Sequence, residues 1–366
     1  MISISPARRN RAILTAAATL VVAWLLFSAR GVLFPFIFGL VFAYLLLPLV
    51  NRIERVIPLP QRMRGLARLV SVLIVYTAFV ALFTIAIALV GPTLAHQTGN
   101  FVDSLPQYYT QTQDFFEGWL GSFRAKVPQD MQALIEKEIT GALGAVGGLV
   151  QGALLQTVKI VSLTFSLIIA IVSIPVWLFY ILKDERQLMG SFYSLFSPSI
   201  RPDVEEVLRR ADKALSAYIR AQLLLGLIVG VLIYVGLLAL NVELALTLAI
   251  VAGITELIPV VGPIIGAIPA LLVTLATAPE SALWVLLLFV VVQSVENNLL
   301  VPRIQGSAVN IHPAVIMVLL IVASEVAGVV GMIVAVPLAA MSREIFTYLY
   351  HRLGQEGEGP SPTQGT

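Results

Sequence analysis

The sequence contains no cysteine and only three histidines, His96, His312 and His351, set far apart. The first absence excludes disulfides, a thiol nucleophile and cysteine-held zinc or iron–sulfur centres. The second leaves no obvious metal site. Charge is scarce as well: Asp, Glu, Lys and Arg make up 12% of the chain, against roughly 25% in an ordinary globular protein. No His-Glu-x-x-His helix, Gly-x-Ser-x-Gly elbow or Gly-x-x-x-x-Gly-Lys-Ser/Thr loop occurs, so the familiar zinc, serine and phosphate chemistries have no carrier. The sequence reads as that of a non-enzyme with no cofactor and no nucleic-acid partner. Without an ATPase segment, any active transport has to draw on an ion gradient or a separate engine.

What the chain has instead is apolar length. Hydrophobic residues make up 58% of it and the mean hydropathy is +0.92. Several runs approach the roughly 20 residues that a helix needs to span a bilayer. These features predict an all-α, polytopic helical membrane protein of about eight spans, with membrane lipid as its surroundings.

In order, a basic start (Arg8, Arg9, Arg11) precedes two apolar runs, Ala12–Ala29 and Val32–Val50. They read as a retained signal-anchor hairpin turning at Arg30-Gly31. Arg52, Arg55, Arg62, Arg64 and Arg68 follow, and a third span, Leu69–Val90, is expected to stop at Gly91-Pro92. Residues 1–91 thus form an N-terminal three-span region. In residues 92–157, Phe101, Leu105, Tyr108, Phe115, Trp119 and Phe123 recur at near-helical spacing. This predicts an amphipathic helical insertion, punctuated by Pro106 and Pro128, and its excess of acids places it outside. Gly141, Gly144, Gly147, Gly148 and Gly152 offer a small-residue face for close helix approach.

Residues 158–345 form the C-terminal membrane region. A fourth span, near Val158–Leu182, ends at Lys183-Asp184-Glu185-Arg186, and residues 183–217 form a basic cytoplasmic loop. Within it, Asp203–Ser216 reads as an amphipathic helix entering the fifth span at Tyr218. The tail, 346–366, turns Gly/Pro/Ser-rich from Gln355 and is expected to be disordered and cytoplasmic. With residues 51–68 read as a cytoplasmic loop, the second loop counted through Arg220 and the C-terminal end from Arg343, 17 of the 23 Lys and Arg residues fall in segments assigned to the cytoplasm, which puts both termini inside.

Two segments are overlong. Residues 244–278 would make a straight helix of roughly 50 Å, and 312–341 one of roughly 45 Å, against a hydrocarbon core about 30 Å thick. Pro259, Gly262, Pro263, Gly266 and Pro269 interrupt the first, and Ser324-Glu325, Gly328, Gly331 and Pro337 the second. Each proline removes a backbone donor and crowds the preceding turn. Both segments are therefore expected to break, with the freed backbone facing protein or water. Whether they cross fully or are re-entrant hairpins stays open, with Arg303 outside in the first case and inside in the second.

Broken helices at membrane depth are where transporters bind substrate and ion. The candidate pathway residues are Glu256, Pro259, Gly262, Pro263 and Gly266 in the first break, Gln293, Glu296 and Asn297 on one expected helix face, and Glu325 in the last segment. A carboxylate in the bilayer is expensive and usually faces a cavity or partner. The Gln293–Asn297 face suits a polar solute, proton or cation, and equally suits interhelical hydrogen bonding. His312 before Pro313 reads as a helix cap.

Phe179-Tyr-Ile-Leu-Lys-Asp184, Tyr218-Ile-Arg-Ala-Gln222, Ile258-Pro-Val-Val-Gly-Pro263 and Glu296-Asn-Asn-Leu-Leu-Val-Pro302 occur in this order. Gly306, His312-Pro313, Gly328, Gly331 and Pro337-Leu338 follow. The series resembles the autoinducer-2 exporter (AI-2E) family of bacterial permeases over nearly the whole chain, with Val329-Val330 before Gly331 as a departure. The resemblance implies a multispan transporter of the inner membrane and a homo-oligomer, a pentamer being one such assembly. Its cargo would be a small polar solute such as autoinducer-2, or a cation in sodium/proton antiport. A non-transporting membrane scaffold is the reading from a different class.

Overall fold

The computed structural model describes residues 30–57, 63–124, 164–306 and 311–357, with residue 60 and scattered positions between 21 and 29 and between 132 and 148. The described residues are helical with no strand, as composition requires of a bilayer protein. Contacts divide the chain into two units, residues 1–76 with 165–187 and residues 77–164 with 188–366.

The first unit contains α1 (Arg30–Val56), the start of α2 (Arg64–Arg124) and most of α3 (Thr164–Ser194). Arg30 and Gly31 are helical and open α1, so the expected turn there is absent; arginine is a good helix former and one glycine costs a helix only about 1 kcal/mol. Residues 1–20 of the proposed anchor lie outside the described set. α1 and α3 meet where Gly39 leaves room for Trp177, whose ring would lie 2.9 Å from a Cβ at that position. Phe36 meets the same indole edge-on at 5.5 Å. Beyond this apolar seam lies a buried ionic knot. Arg68 donates to the Leu182 carbonyl from Nε (3.0 Å) and Nη2 (2.7 Å), to Glu185 (2.7 Å), to Glu54 (3.1 Å) and to Asn51. Glu54 also accepts two hydrogen bonds from Arg186. From α2 the planar guanidinium reaches groups on both α1 and α3 at once, in a fork that a lysine's single ammonium could not match.

α2 does not stop at Gly91-Pro92 but runs 61 residues through Pro92 and Pro106. A proline removes one hydrogen bond and kinks a membrane helix without having to end it, provided neighbouring groups take up the freed carbonyl. The expected boundary at residue 91 therefore falls inside one helix. Past it, Phe101, Leu105 and Tyr108 pack into the core of the second unit as their spacing predicts, while Phe115 and Trp119 stay exposed. Of the expected close-approach glycines, Gly147 lies against the Tyr109 ring of α2, where a Cβ would come within 2.8 Å of the hydroxyl, while Gly141, Gly144 and Gly148 face open space; Gly152 lies outside the described residues. Likewise α3 continues past Lys183–Arg186 to Ser194, because the change from apolar to charged residues ends a span and not a helix.

The rest of the second unit comprises α4 (Arg201–Ala239), α5 (Ala245–Thr255), α6 (Gly262–Thr277), a 3-10 turn at Pro279–Ser281, α7 (Ala282–Val295), a π turn (Glu296–Leu300), α8 (Val301–Ile304) and α9 (Pro313–Gly357). The amphipathic stretch from Asp203 runs without a break into the fifth span, as expected. Asn241 and Leu244 turn the chain with positive φ, and α5 returns antiparallel to α4. A Cβ on Gly226 would lie 2.6 Å from the Gly253 carbonyl, and Gly230 stacks on Ala249 and Gly253. This Gly-x-x-x-Gly face lets the two backbones touch.

The first broken segment is a hairpin. α5 and α6 are only about 16 and 24 Å long, each short of a bilayer core. They pack against each other across the break: a Cβ on Gly266 would lie 2.8 Å from Ala252 Cα, and one on Gly262 would lie 1.9 Å from the Thr255 carbonyl. The second broken segment does the same. Length and composition alone would make Pro313–Arg352 a span. Yet Ala327 and Gly328 leave helical geometry, and a Cβ on Gly331 would lie 2.1 Å from the Ala323 carbonyl, eight residues back. The first hairpin's turn packs on the second hairpin: Ile258 and Val261 lie with Leu320, Ala323 and Ala335. The helix then runs on to Gly357, past the start of the expected disordered tail; residues 358–366 lie outside the described set. Tyr348 and Arg352 there bond to Asp203 of α4.

Candidate functional site

The first hairpin breaks because Pro259 and Pro263 cannot supply helical donors. Val260 takes a left-handed φ of 68° and reverses the chain, and Pro263 then sits in the first turn of α6, where its missing N–H is harmless. Glu256 caps α5 and, with its helix ended, has a free carbonyl. Gln222 of α4 donates its Nε2 to that carbonyl, and Gln222 Oε1 accepts from Gln305 Nε2 at 2.8 Å. One side-chain amide thus joins α4, the hairpin turn and the segment after α8.

The Glu256 side chain is 2% exposed. It faces Glu296, 5% exposed, at the start of the π turn, and the two carboxyl groups share a hydrogen bond. Two ionised carboxylates are acceptors only, so the shared bond requires a proton between them. Gln293 Nε2 donates to Glu296 Oε2 at 3.2 Å. Glu256 Oε2 is buried with no hydrogen-bond partner. No ion pair among the described residues reaches either carboxyl. The buried pair can therefore hold one proton or small cation between the end of α5 and the π turn.

The structure brings together Glu256, Glu296 and Gln293 of the candidates and separates the others. Asn297 is exposed: Val301 donates to the Glu296 carbonyl five residues back, and this wider turn, set just before Pro302, swings Asn297 off the face it would share in an α-helix. Glu325 is exposed near the second hairpin's turn, away from the pair. Gly262 and Gly266 are packing residues that admit the α5 backbone. Pro259 and Pro263 shape the turn. His312 caps α9, accepting from Ala314 N–H at 3.2 Å. Sequence reading missed Tyr218, Gln222 and Gln305 as site residues. Tyr218 and Gln222 stand in one of the motifs that carry the resemblance, but nothing local ties them to Glu256 or Gln305, because they meet only through the tertiary fold.

A family model described as AI-2E family transporter matches residues 13–351. The candidate transport protein YueF of Bacillus subtilis is 31% identical over 317 residues, covering 86% of this chain and 83% of that one. YrrI of the same organism, another candidate transport protein, is 31% identical over 312 residues, covering 85% of each chain. The candidate permease PerM of Escherichia coli is 26% identical over 328 residues, 88% of each chain.

Proposed function

The chain belongs to the AI-2E family of transporters, and on that premise we propose that it exports a small polar solute across the bacterial inner membrane, coupled to protons through Glu256 and Glu296. The buried carboxyl pair carries this reading. A carboxyl group costs about 2.5–3.5 kcal/mol at a bilayer centre even on lenient scales, and two facing each other have no structural use that amides would not serve more cheaply. A scaffold needs neither. Autoinducer-2 is the solute suggested by the family resemblance. Sodium/proton antiport is the second reading, favoured by the donor-free Glu256 Oε2, since a cation could replace the shared proton. Both termini are cytoplasmic in this reading, and the protein works as a homo-oligomer.

The test is proton and solute flux in proteoliposomes holding the full chain, with and without proton and sodium gradients. Glu296→Gln and Glu256→Gln keep the shape and remove the titratable group. Each is expected to abolish the gradient dependence of flux while expression and assembly stay normal. Flux with unchanged gradient dependence in both variants rejects the coupling role, and sodium-driven proton movement without solute selects antiport.

A further inference from the structure

Among the described residues, two buried side-chain atoms lack a hydrogen-bond partner: Tyr218 Oη and Glu256 Oε2. Native structures leave few such atoms, and each asks for an explanation. These two are complementary, one a hydroxyl able to donate and the other a carboxyl oxygen able to accept. They also lie on adjoining elements. The antiparallel register of α4 and α5, fixed by Gly226 on Gly253 and Gly230 on Ala249, carries the start of the fifth span alongside the hairpin turn. Gln222, one helical turn along the same face from Tyr218, already holds the Glu256 carbonyl. Glu256 is the titratable group within electrostatic reach of the Tyr218 hydroxyl.

We propose that the Glu256 carboxyl alternates between two partners, Glu296 while a proton is shared and Tyr218 once that proton has left. This deepens the proton-coupled reading above and rests on it. In the loaded arrangement the proton lies between the two carboxyl groups. When it leaves, two carboxylates face each other in a low-dielectric interior and repel. The Glu256 side chain then turns to the tyrosine, whose O–H donates to it, and both unpartnered atoms are satisfied. Tyr218 keeps its own proton throughout. Gln222 keeps the backbone of residue 256 in place, so the movement is one of side-chain rotation. Among the described residues, the titratable groups facing Glu256 are Glu296 and Tyr218. Gln222, Gln293 and Gln305 are neutral, and the second hairpin presents apolar Leu320 and Ala335 to the turn. Tyr218 is thus a positioning residue for the charged form of the carboxyl.

Infrared difference spectroscopy on the full chain in lipid vesicles tests this without a known solute. In the wild type, raising the pH is expected to remove a protonated-carboxyl C=O band and, in step, to shift the tyrosine ring C–O band. Tyr218→Phe keeps the ring and removes the donor. The pH at which the carboxyl band disappears should then rise by about one unit or more, the scale of a lost hydrogen bond to a charged group. Loss of the band at the wild-type pH in Tyr218→Phe overturns the proposal. A wild-type protein with no titrating carboxyl band overturns instead the proton-site reading beneath it. Should Tyr218→Phe fail to assemble, Glu256→Gln decides: the pH-linked tyrosine shift should vanish, and its persistence overturns the proposal.

Discussion

Val260 and Gly262 lie two residues apart in one turn and respond in opposite ways to substitution. Val260 holds a φ of 68° with a branched side chain that is half in solvent. That conformation costs an L-residue about 1–2 kcal/mol, against the about 0.5–1 kcal/mol of extra chain entropy that a glycine brings. Val260→Gly is therefore expected to leave thermal stability in detergent unchanged or raise it by up to about 1 kcal/mol. Gly262→Ala places a methyl 1.9 Å from a backbone oxygen that cannot move aside without opening the hairpin. It should fall at or beyond the top of the about 1–3 kcal/mol range for overpacking. A thermal midpoint in Gly262→Ala equal to the wild type would show that α5 and α6 do not pack this tightly. The strain at Val260 sits four residues from Glu256, in the turn that ends α5.

At the scale of elements, the clasp between α4 and the end of α9 carries its own pH dependence. Hydrogen bonds from the Tyr348 hydroxyl and then Arg352 hold the Asp203 carboxyl below its ordinary range, and Arg210 lies over the Tyr348 ring at 5.0 Å. A depressed carboxyl stabilises the fold above its unfolded value of 3.8 and loses that contribution as pH falls through the lower folded value. Hydrogen exchange of residues 342–357, corrected for intrinsic rate, should therefore stay slow at neutral pH and quicken in acid. Asp203→Asn should quicken it at neutral pH and flatten the acid response; slow exchange in that variant would remove the clasp from the account. Other elements were less evenly legible. Both hairpin breaks could be read from the chain, because proline and glycine in overlong apolar segments have a local consequence. The continuation through Pro92 was not, since whether a proline kinks a helix or ends it depends on what packs beside it. The π turn at Glu296 was missed for a related reason: apolar periodicity assumes 3.6 residues per turn, and one widened turn moved Asn297 out of the site. Gln222 and Gln305 were invisible as partners because 83 residues separate them.

For the molecule as a whole, the orientation proposed from the arginine distribution is one that the absence of cysteine makes simple to check. Single cysteines can be placed without any background. Thr110→Cys is expected to react with an impermeant maleimide added to intact cells, and Ser197→Cys only after the cells are opened. The reverse pattern would invert the topology. The two hairpins also constrain how such a chain can be made. A translocon hands helices to lipid one at a time, by apolar length. α5, at 11 residues, is too short to be accepted as a span, and the turn after it would bring uncapped peptide groups into hydrocarbon. The first hairpin cannot settle until α4 stands ready to cap it, nor the carboxyl pair form until α7 has followed. Assembly of the carboxyl pair is thus a late event in biosynthesis, completed only when some forty further residues have left the ribosome after Glu256, and until then Glu256 lacks the partner that its burial calls for.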